Sequence, residues 1–351
     1  MVTKENEKTP LEGRFFSAMG ALCPSWPGGR FVCAFSGGGD STALLGLLRG
    51  FLPPERLLAA HLDHGLRESS GREAILAKAV AQGLGVRCLV ERIEVERLAR
   101  ERGKGLEEAA RFARYGFLKK ALEDWPGDYL VTAHQAEDQA ETVIMKLARG
   151  AGPGALVGIG AKGTFGEGQG VRALRPLLGE SAKGLREYAA AKGLGFIEDP
   201  SNLDERFGRN LVRNKILPVL GQLNEGYLAA FGRAAEIAAA EEEFWDERLR
   251  GLEEKLELRA ERGWFGVRAQ GLAQVTLAEK RRLLGRLMRK VRLDKPGGGE
   301  GVSFSGVEAA LGFLERPGAG GVDLPGGRRV EIRGLFIYIG PSSRNESRPA
   351  S

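Results

Sequence analysis

The sequence predicts an α/β fold: a parallel doubly wound sheet, then a helical domain and a small α+β C-terminal piece. Three observations carry this. Short apolar runs alternate with helix-length stretches over residues 31–148. Residues 225–262 and 277–291 are rich in charge and have the length of helices. Short strand-like runs then close the chain at residues 322–324, 329–332 and 335–339.

The first helix is expected over residues 11–22 and the first buried strand over 31–35. Ser36, Gly37, Gly38, Gly39, Asp40 and Ser41 follow as a loop. Residues 42–48 then read as a helix that Asp40 or Ser41 is suited to cap. Glycines let backbone N–H groups approach a phosphate closely, and a helix N-terminus adds partial positive charge. Ser36 and Ser41 add hydroxyl donors. An ionised Asp40 cannot donate, so beside phosphates it suits a magnesium ion. The string lacks both the Lys-Ser/Thr ending of a Walker loop and the spaced glycines of a dinucleotide turn. The bland alternative is a structural glycine turn.

Three more strand–helix units follow, with strands at 57–62, 86–90 and 129–133 and helices at 70–84, 106–122 and 136–148. In a parallel sheet, ligands bind beyond the C-terminal strand ends. There the second unit places His61 and Asp63, within a run that continues through His64, Gly65 and Arg67. A nucleotide-facing role and a satisfied turn both remain open for them. The helix over 106–122 buries Leu106, Ala110, Ala113 and Phe117, and sets Glu107, Arg111, Arg114 and Tyr115 opposite. That polar side is either functional or a solvated face with i,i+4 pairs. The fourth unit ends at His134. Its helix turns Ala136, Ala140, Val143, Ile144 and Leu147 inward, with Asp138 and Thr142 on the exposed side and Glu141 flanking. His134 and Asp138 are expected to reach the crevice that Asp40 faces, although carboxylates in a first turn are also favoured by the helix dipole.

Residues 150–170 are rich in glycine and are expected to form a mobile loop, a candidate lid. Ser181 is suited to cap a helix reaching 191. Arg206, Arg209, Arg213 and Lys215 then crowd together with Asn202, Asn210 and Asn214, a composition suited to phosphate contacts or to an exposed linker helix. A boundary is expected at 218–224. The stretch 225–262 reads as one long helix or a hairpin, acidic around Glu241 to Glu243. The helix at 277–291 is flanked by Lys280, Arg281, Arg282, Arg286, Arg289, Lys290, Arg292 and Lys295, either an RNA-facing surface or a solvated face. A last helix is expected over 305–314, and the tail from 342 is expected to be disordered.

Composition limits the function class. Charged residues at 28% against 42% hydrophobic fit a soluble globular protein. No stretch approaches ~18 uninterrupted apolar residues, so no membrane span is expected. The N-terminus lacks the apolar core of a secretory signal, and Cys23, Cys33 and Cys88 form no Cys-x-x-Cys pair. A reducing cytoplasm is the expected compartment. The net charge of +6 is compatible with a nucleic-acid partner.

The loop Ser36 to Ser41 resembles the pyrophosphate-loop signature Ser-Gly-Gly-x-Asp-Ser of ATP pyrophosphatases, whose sheet is adenine nucleotide alpha hydrolase-like. Together with the strings at His61–Arg67, Leu106–Phe117, His134–Thr142, Arg175-Pro-Leu, Asp199–Asn202 and Arg209–Arg213, the chain resembles the tRNA(Ile)-lysidine synthetase family over residues 31–220. Residues 277–340 also resemble that family's C-terminal appendage. Longer members carry a further C-terminal domain that this chain is expected to lack.

The resemblance implies an AMP-forming carbon–nitrogen ligase. ATP adenylates C2 of the wobble cytidine, position 34 of tRNA(Ile), and releases pyrophosphate. L-lysine then displaces AMP to leave lysidine. ATP and Mg2+ are the implied cofactors. The implied nucleotide site is Ser36, Gly37, Gly38, Gly39, Asp40, Ser41, His61, Asp63 and Arg114, with Asp40 as the metal ligand. Asp40, His134 and Asp138 are implied as catalytic, and Asp138 and Glu141 as the lysine site. Arg206, Arg209, Arg213, Arg282, Arg286 and Arg289 are implied to bind tRNA with a CAU anticodon. The implied layout is a catalytic domain over 1–220, a helical tRNA-binding domain over 221–296, an α+β segment over 297–341 and a tail over 342–351. No membrane partner is expected, and a homodimer is admitted. The alternatives are another pyrophosphate-loop enzyme, such as a tRNA thiolase or an amide-forming synthetase, and a non-catalytic ATP- and RNA-binding protein. The three unpaired cysteines and the lack of an N-terminal nucleophilic cysteine weigh against sulfur transfer and glutaminase chemistry.

Overall fold

The first helix, α1 (Pro10–Leu22), starts on a reciprocal cap: Glu12 N–H donates to the Thr9 hydroxyl, Thr9 N–H donates to the Glu12 carboxylate, and Pro10 occupies the first turn. The computed structural model describes residues 8–66, 70–165, 171–197, 208–291, 302–315 and 320–342. The chain divides into two units, one up to Ala238 and one from Ala239 onward.

In the first unit, strands and helices alternate as the apolar runs require. The elements are β1 (Phe31–Ala34), α2 (Gly39–Phe51), β2 (Leu57–Asp63), α3 (Ser70–Gly83), β3 (Arg87–Arg92), α4 (Val95–Arg102), α5 (Leu106–Asp124), β4 (Tyr129–Val131), α6 (Ala136–Ala148), β5 (Lys162–Phe165), β6 (Val171–Leu174) and α7 (Ala182–Ala191). The sheet order is β3-β2-β1-β4-β6-β5, parallel throughout except for antiparallel β5 at the edge. Side chains of β1 alternate between two cores. Phe31 and Cys33 pack with Phe15, Leu44, Leu48 and Leu185, whereas Val32 packs with Leu58, Leu130 and Phe117. Each buried Leu or Phe stabilises the layer by roughly 1.5–3 kcal/mol. Chain order reverses between β1 and β4, so the crevice at their C-terminal ends is the switch point where such sheets bind ligands.

The structure corrects two expectations here. The glycine-rich stretch after α6 is no simple lid: it holds a 3-10 turn (Pro153–Val157) and the β5–β6 hairpin, and β6 extends the sheet beside β4. Residues 166–170 lie outside the described residues. The helix after β1 starts at Gly39, with Gly38 as its cap, so Asp40 lies inside the first turn instead of capping it.

After α7, residues 198–207 lie outside the described residues. The chain continues through α8 (Gly208–Leu211), a π-helical turn (Val212–Ile216), α9 (Leu217–Leu223) and α10 (Tyr227–Lys255). Val212 and Leu217 are buried against Ala140, with Ile144, Leu220 and Phe231 around them. This small cluster presses the segment onto α6. Among the described residues, no helix is long and apolar enough to cross a membrane.

In the second unit the remainder of α10 is followed by β7 (Arg259–Glu261), β8 (Trp264–Arg268), α11 (Ala269–Leu272), α12 (Leu277–Lys290), α13 (Phe304–Glu315), β9 (Gly321–Leu324), β10 (Arg328–Arg333) and β11 (Phe336–Pro341). The antiparallel sheet runs β7-β8-β11-β10-β9. One core joins Leu249 and Leu252 of α10, Leu283 and Leu287 of α12, Leu311 of α13, and Val267, Val330 and Ile337 of the sheet. The compact units thus divide at Ala238–Ala239, whereas divisions at 220 and 296 were expected. The first unit runs on into α10, and the helices and the terminal strands share one interior. The expected helix over 225–262 ends at Lys255, because the chain turns there into β7 and β8. The linker 296–301 and the tail beyond 342 lie outside the described residues.

Candidate active site

The loop after β1 is built for close approach. Gly37 has φ +84°, and a side chain there would strike Ile197, whose N–H donates to the Gly37 carbonyl. A Cβ on Gly39 would lie 2.9 Å from Cγ of Arg186. The two serines brace the loop from inside: Ser36 and Ser41 hydroxyls lie 3.0 Å apart, and Ser41 donates to the Gly38 carbonyl. The N-terminus of α2 has no side-chain cap, as is also true of α4 and α5. Its first-turn N–H groups are thus left for an anion.

Asp40 sits in that turn with Oδ1 buried and, among the described residues, without a hydrogen-bond partner. Burial, followed by the nearby Asp138 carboxylate, pushes its pKa up to about 6, against the pull of Arg186 and Arg213. An orphaned buried carboxylate oxygen at an anion-binding helix end fits a divalent cation. Among the described residues, no three His, Cys, Asp or Glu side chains cluster as a metal site. A cation on Asp40 would therefore take its other ligands from phosphate oxygens and water. A cavity of about 440 Å³ opens here, lined by Asp40, Glu137, Arg186, Arg213 and Tyr227 among others.

The second strand end is more structural than expected. His61 is buried with Nδ1 3.0 Å from the Phe35 carbonyl, and Asp63 accepts from Gly65 N–H and faces Arg92 at 3.5 Å. Both hold the turn. The group left over is His64, whose buried Nδ1 has no partner among the described residues. Burial and then the positive charge of Arg114 push its pKa down to about 4. Arg114 itself is drawn below its ordinary value by burial. His134, on the strand end beside β1, places Nδ1 2.8 Å from the Thr132 hydroxyl. Burial, against Asp138 and with help from Arg175, Arg209 and Arg114, pushes its pKa down to about 4, so the ring is neutral at neutral pH.

The carboxylates of α6 depart furthest from the sequence reading. Asp138 closes a cap, accepting from Gln135 N–H at 3.1 Å. Glu141, expected on the helix flank, is fully buried. Its Oε1 accepts from Arg213 Nε at 2.6 Å and its Oε2 from Arg209 Nε at 2.7 Å. Arg213 Nη2 continues to Asp138 Oδ1 at 3.2 Å. Arg209 and Arg213, expected on a tRNA surface, are thus site residues. Arg206 lies outside the described residues. Arg186, Glu137, Tyr227 and His64 line or flank the site without having been singled out as binding residues. Glu137 accepts from Ala182 N–H at the start of α7. Helical spacing from Glu141, four residues on, was the available signal for Glu137, and nothing local marked Arg186.

Most of the basic face of α12 is ion-paired. Arg282 forms a two-bond pair with Glu242, Arg286 reaches Asp246 and Glu253, Lys290 reaches Glu253, and Arg281 pairs with Glu308. The acidic stretch of α10 neutralises this face within the same unit. Arg289 remains exposed.

The sheet and the glycine loop at its switch point define an α/β domain of the class suited to holding an anion at a strand end. The family model described as a PP-loop domain matches residues 14–220, and the chain belongs to that family. The fold is adenine nucleotide alpha hydrolase-like, as expected. Among curated relatives, the tRNA(Ile)-lysidine synthase of Thermus thermophilus is 37% identical over 277 residues, covering 78% of this chain and 50% of that protein. That of Alkalilimnicola ehrlichii is 42% identical over 218 residues, covering 61% and 47%. That of Pseudomonas aeruginosa is 40% identical over 237 residues, covering 66% and 51%. The chain spans about half the length of the curated relatives it matches. A U34-tRNA thiolase of Methanococcus maripaludis, solved with its iron–sulfur cluster, shares the fold. Its TM-score is 0.52 at 15% identity, covering 64% of this chain and 78% of that one.

Proposed function

We propose that this chain makes lysidine: with ATP it joins L-lysine to C2 of cytidine 34 in tRNA(Ile) with a CAU anticodon, releasing pyrophosphate and AMP. The observation that carries this reading is a cluster of carboxylates and guanidinium groups, the partners an amino acid needs, beside a phosphate loop at one switch point. Relatives bearing the name tRNA(Ile)-lysidine synthase support it.

The chemistry follows from the residues. A carbonyl oxygen at C2 leaves poorly until it is adenylated. The α2 N-terminus and a magnesium ion on Asp40 would offset the charge that develops on the pyrophosphate. Asp138, near enough to Asp40 to raise its pKa, is the candidate partner for a substrate ammonium. His134, neutral and held by Thr132, is a candidate to accept a proton as the amine attacks. Sulfur transfer is less well supported. Cys33 is buried in a strand and its thiol is pushed up by burial, and Cys88 is pushed up to about 11.

The test is mass analysis of tRNA nucleosides after incubation with ATP, Mg2+ and labelled lysine. A cytidine heavier by one lysine less one water is expected. Unchanged cytidine together with tRNA-dependent ATP–pyrophosphate exchange would point to another pyrophosphate-loop enzyme. The absence of both would point to a binding protein.

A further inference from the structure

We infer that Arg186 of α7 holds the terminal phosphates of ATP and the pyrophosphate they become, and that Gly39 is the seat that keeps it over the phosphate loop. The inference rests on the nucleotide part of the reading above and adds a binding residue to it.

Arg186 and Asp40 line the same cavity of about 440 Å³. Their opposite charges interact: burial and then Asp138 raise the Asp40 pKa, and Arg186 is the first of the cations that oppose this. Yet the two form no ion pair. Asp40 Oδ1 is buried and unpartnered, and no hydrogen bond or ion pair of the exposed Arg186 guanidinium is seen among the described residues. Elsewhere in this unit an arginine beside a carboxylate closes onto it in a two-bond pair, as Arg14 does with Glu180 at 2.7 and 2.8 Å. An unfilled carboxylate and an unfilled guanidinium on one cavity match a ligand that brings both signs of charge. Magnesium pyrophosphate does so: its cation suits Asp40 and its phosphate oxygens suit Arg186.

The backbone fixes where Arg186 stands. α7 packs along α2, with Leu185 and Ala189 buried in the core that α2 lines. Two glycines of α2, about two turns apart, let the neighbouring chain come close. A Cβ on Gly46 would lie 2.6 Å from Leu194 Cδ1, and a Cβ on Gly39 would lie 2.9 Å from Cγ and 3.6 Å from Nε of Arg186. The start of α7 is also tied to the start of α6. Ala136 N–H donates to the Glu180 carbonyl, and Ala182 N–H donates to the Glu137 carboxylate. The stem of Arg186 therefore lies on the first turn of α2, where the free N–H groups are.

Cleavage of ATP adds charge at this place. When the bond from the α-phosphorus to the bridging oxygen breaks, the electron pair stays with that oxygen, and the leaving pyrophosphate gains one negative charge. A guanidinium meets that charge without giving up its own proton, and its planar donors span two phosphate oxygens.

Titration calorimetry of the full chain with magnesium pyrophosphate, ATP with Mg2+, and AMP tests this without lysine or tRNA. Arg186→Gln should weaken magnesium pyrophosphate and ATP about 10-fold and leave AMP unchanged, since AMP lacks the terminal phosphates. Arg186→Lys should recover part of the loss, because the charge survives but the fork does not. Gly39→Ala should weaken the same two ligands several-fold by pushing Arg186 aside. The double variant should then bind no more weakly than Arg186→Gln alone. If Gly39→Ala does not fold, the Gln and Lys variants carry the test, since Arg186 is exposed.

Unchanged affinity of Arg186→Gln for magnesium pyrophosphate and ATP would overturn the inference, and a loss confined to tRNA binding would assign the side chain to the RNA backbone instead. Single losses that add in full would overturn the part given to Gly39. A parent chain that binds neither pyrophosphate nor ATP would remove the nucleotide reading, and the inference with it. A parent chain that binds both and shows these losses, yet makes no lysidine, would leave the inference standing while the function proposed above fails.

Discussion

Asp40 is the residue whose environment is least comfortable and whose motif is most legible. Its place within Ser36 to Ser41 was readable from sequence, as was a cation as its natural partner. That Oδ1 is buried and unpartnered, and that Asp138 stands nearby, required the fold. With its pKa pushed up to about 6 from 3.8, Asp40 binds more protons folded than unfolded between those pH values. Its contribution to stability therefore falls as pH rises from about 4 to 6 and stays a penalty above that. Replacing Asp40 with Asn should stabilise the first unit at pH 7 by about 1–2 kcal/mol while abolishing ATP–pyrophosphate exchange. Denaturant melts at pH 7 and pH 4 check the first claim, since the gain should vanish at the lower pH. A destabilised Asn variant would show that Arg186 and Arg213 already hold the charge. Glu141 is the opposite case. Its partners stand 68 and 72 residues away, so no local pattern could show that its charge was spent.

At the scale of elements, helix and strand positions were largely readable. α6 and the Ser181-capped α7 fall where periodicity and capping placed them, because those signals are local. β5 and β6 escaped notice because four-residue strands between glycines are defined by their pairing, not by their own pattern. The same holds for β7 and β8, which the long acidic helix seemed to absorb.

The α10–α12 pair carries a prediction. Replacing Arg282, Arg286 and Arg289 with Gln should lower the stability of the second unit by roughly 1–2 kcal/mol, because two of the three are ion-paired. The slope of log affinity for tRNA against log salt should change by at most about one unit, from Arg289 alone. A fall of two to three units would restore the RNA-facing reading of this helix. A second element-scale prediction concerns β11. A Cβ on Gly340 would enter the ring of Trp264 directly across from it, and a Cβ on Gly266 would enter that of Tyr338. Arg333 lies over both rings, 4.2 Å and 5.1 Å from their centres. Gly340→Ala should cost about 1–3 kcal/mol by overpacking, read as a lowered melting temperature with unchanged near-neutral activity.

For the molecule as a whole, acid sensitivity between pH 7 and pH 4 should come chiefly from its three histidines, all in the first unit, while Glu279 in the second unit, brought down to about 2 by hydrogen bonds from Thr276 and Arg248, adds to it at lower pH. The His61 pKa is lowered by burial, and His64 and His134 are pushed down to about 4. Each binds fewer protons folded than unfolded from pH 6.5 down to its folded value, so stability is lost as pH falls through that window. Asp40 opposes them. A net loss of roughly 2–4 kcal/mol between pH 7 and pH 4 is expected in the first unit. Urea titrations followed by hydrogen exchange in β1, β2 and β4 would measure it. A flat profile would mean the rings are solvated when charged.

The amino-acid sequence by itself determined the parallel α/β sheet, the phosphate loop after its first strand and the gathering of His134 and Asp138 at a neighbouring strand end. Those features rest on local periodicity and on the rule that such sheets bind at strand ends. Tertiary structure alone decided which charges were free. Glu141 and the arginines of α12 look available in sequence, and each is met by an opposite charge many residues away. It also decided where one unit stops, since a unit is defined by the side chains that share an interior. Leu249, Leu283, Leu311 and Ile337 share one only after the chain has folded back on itself.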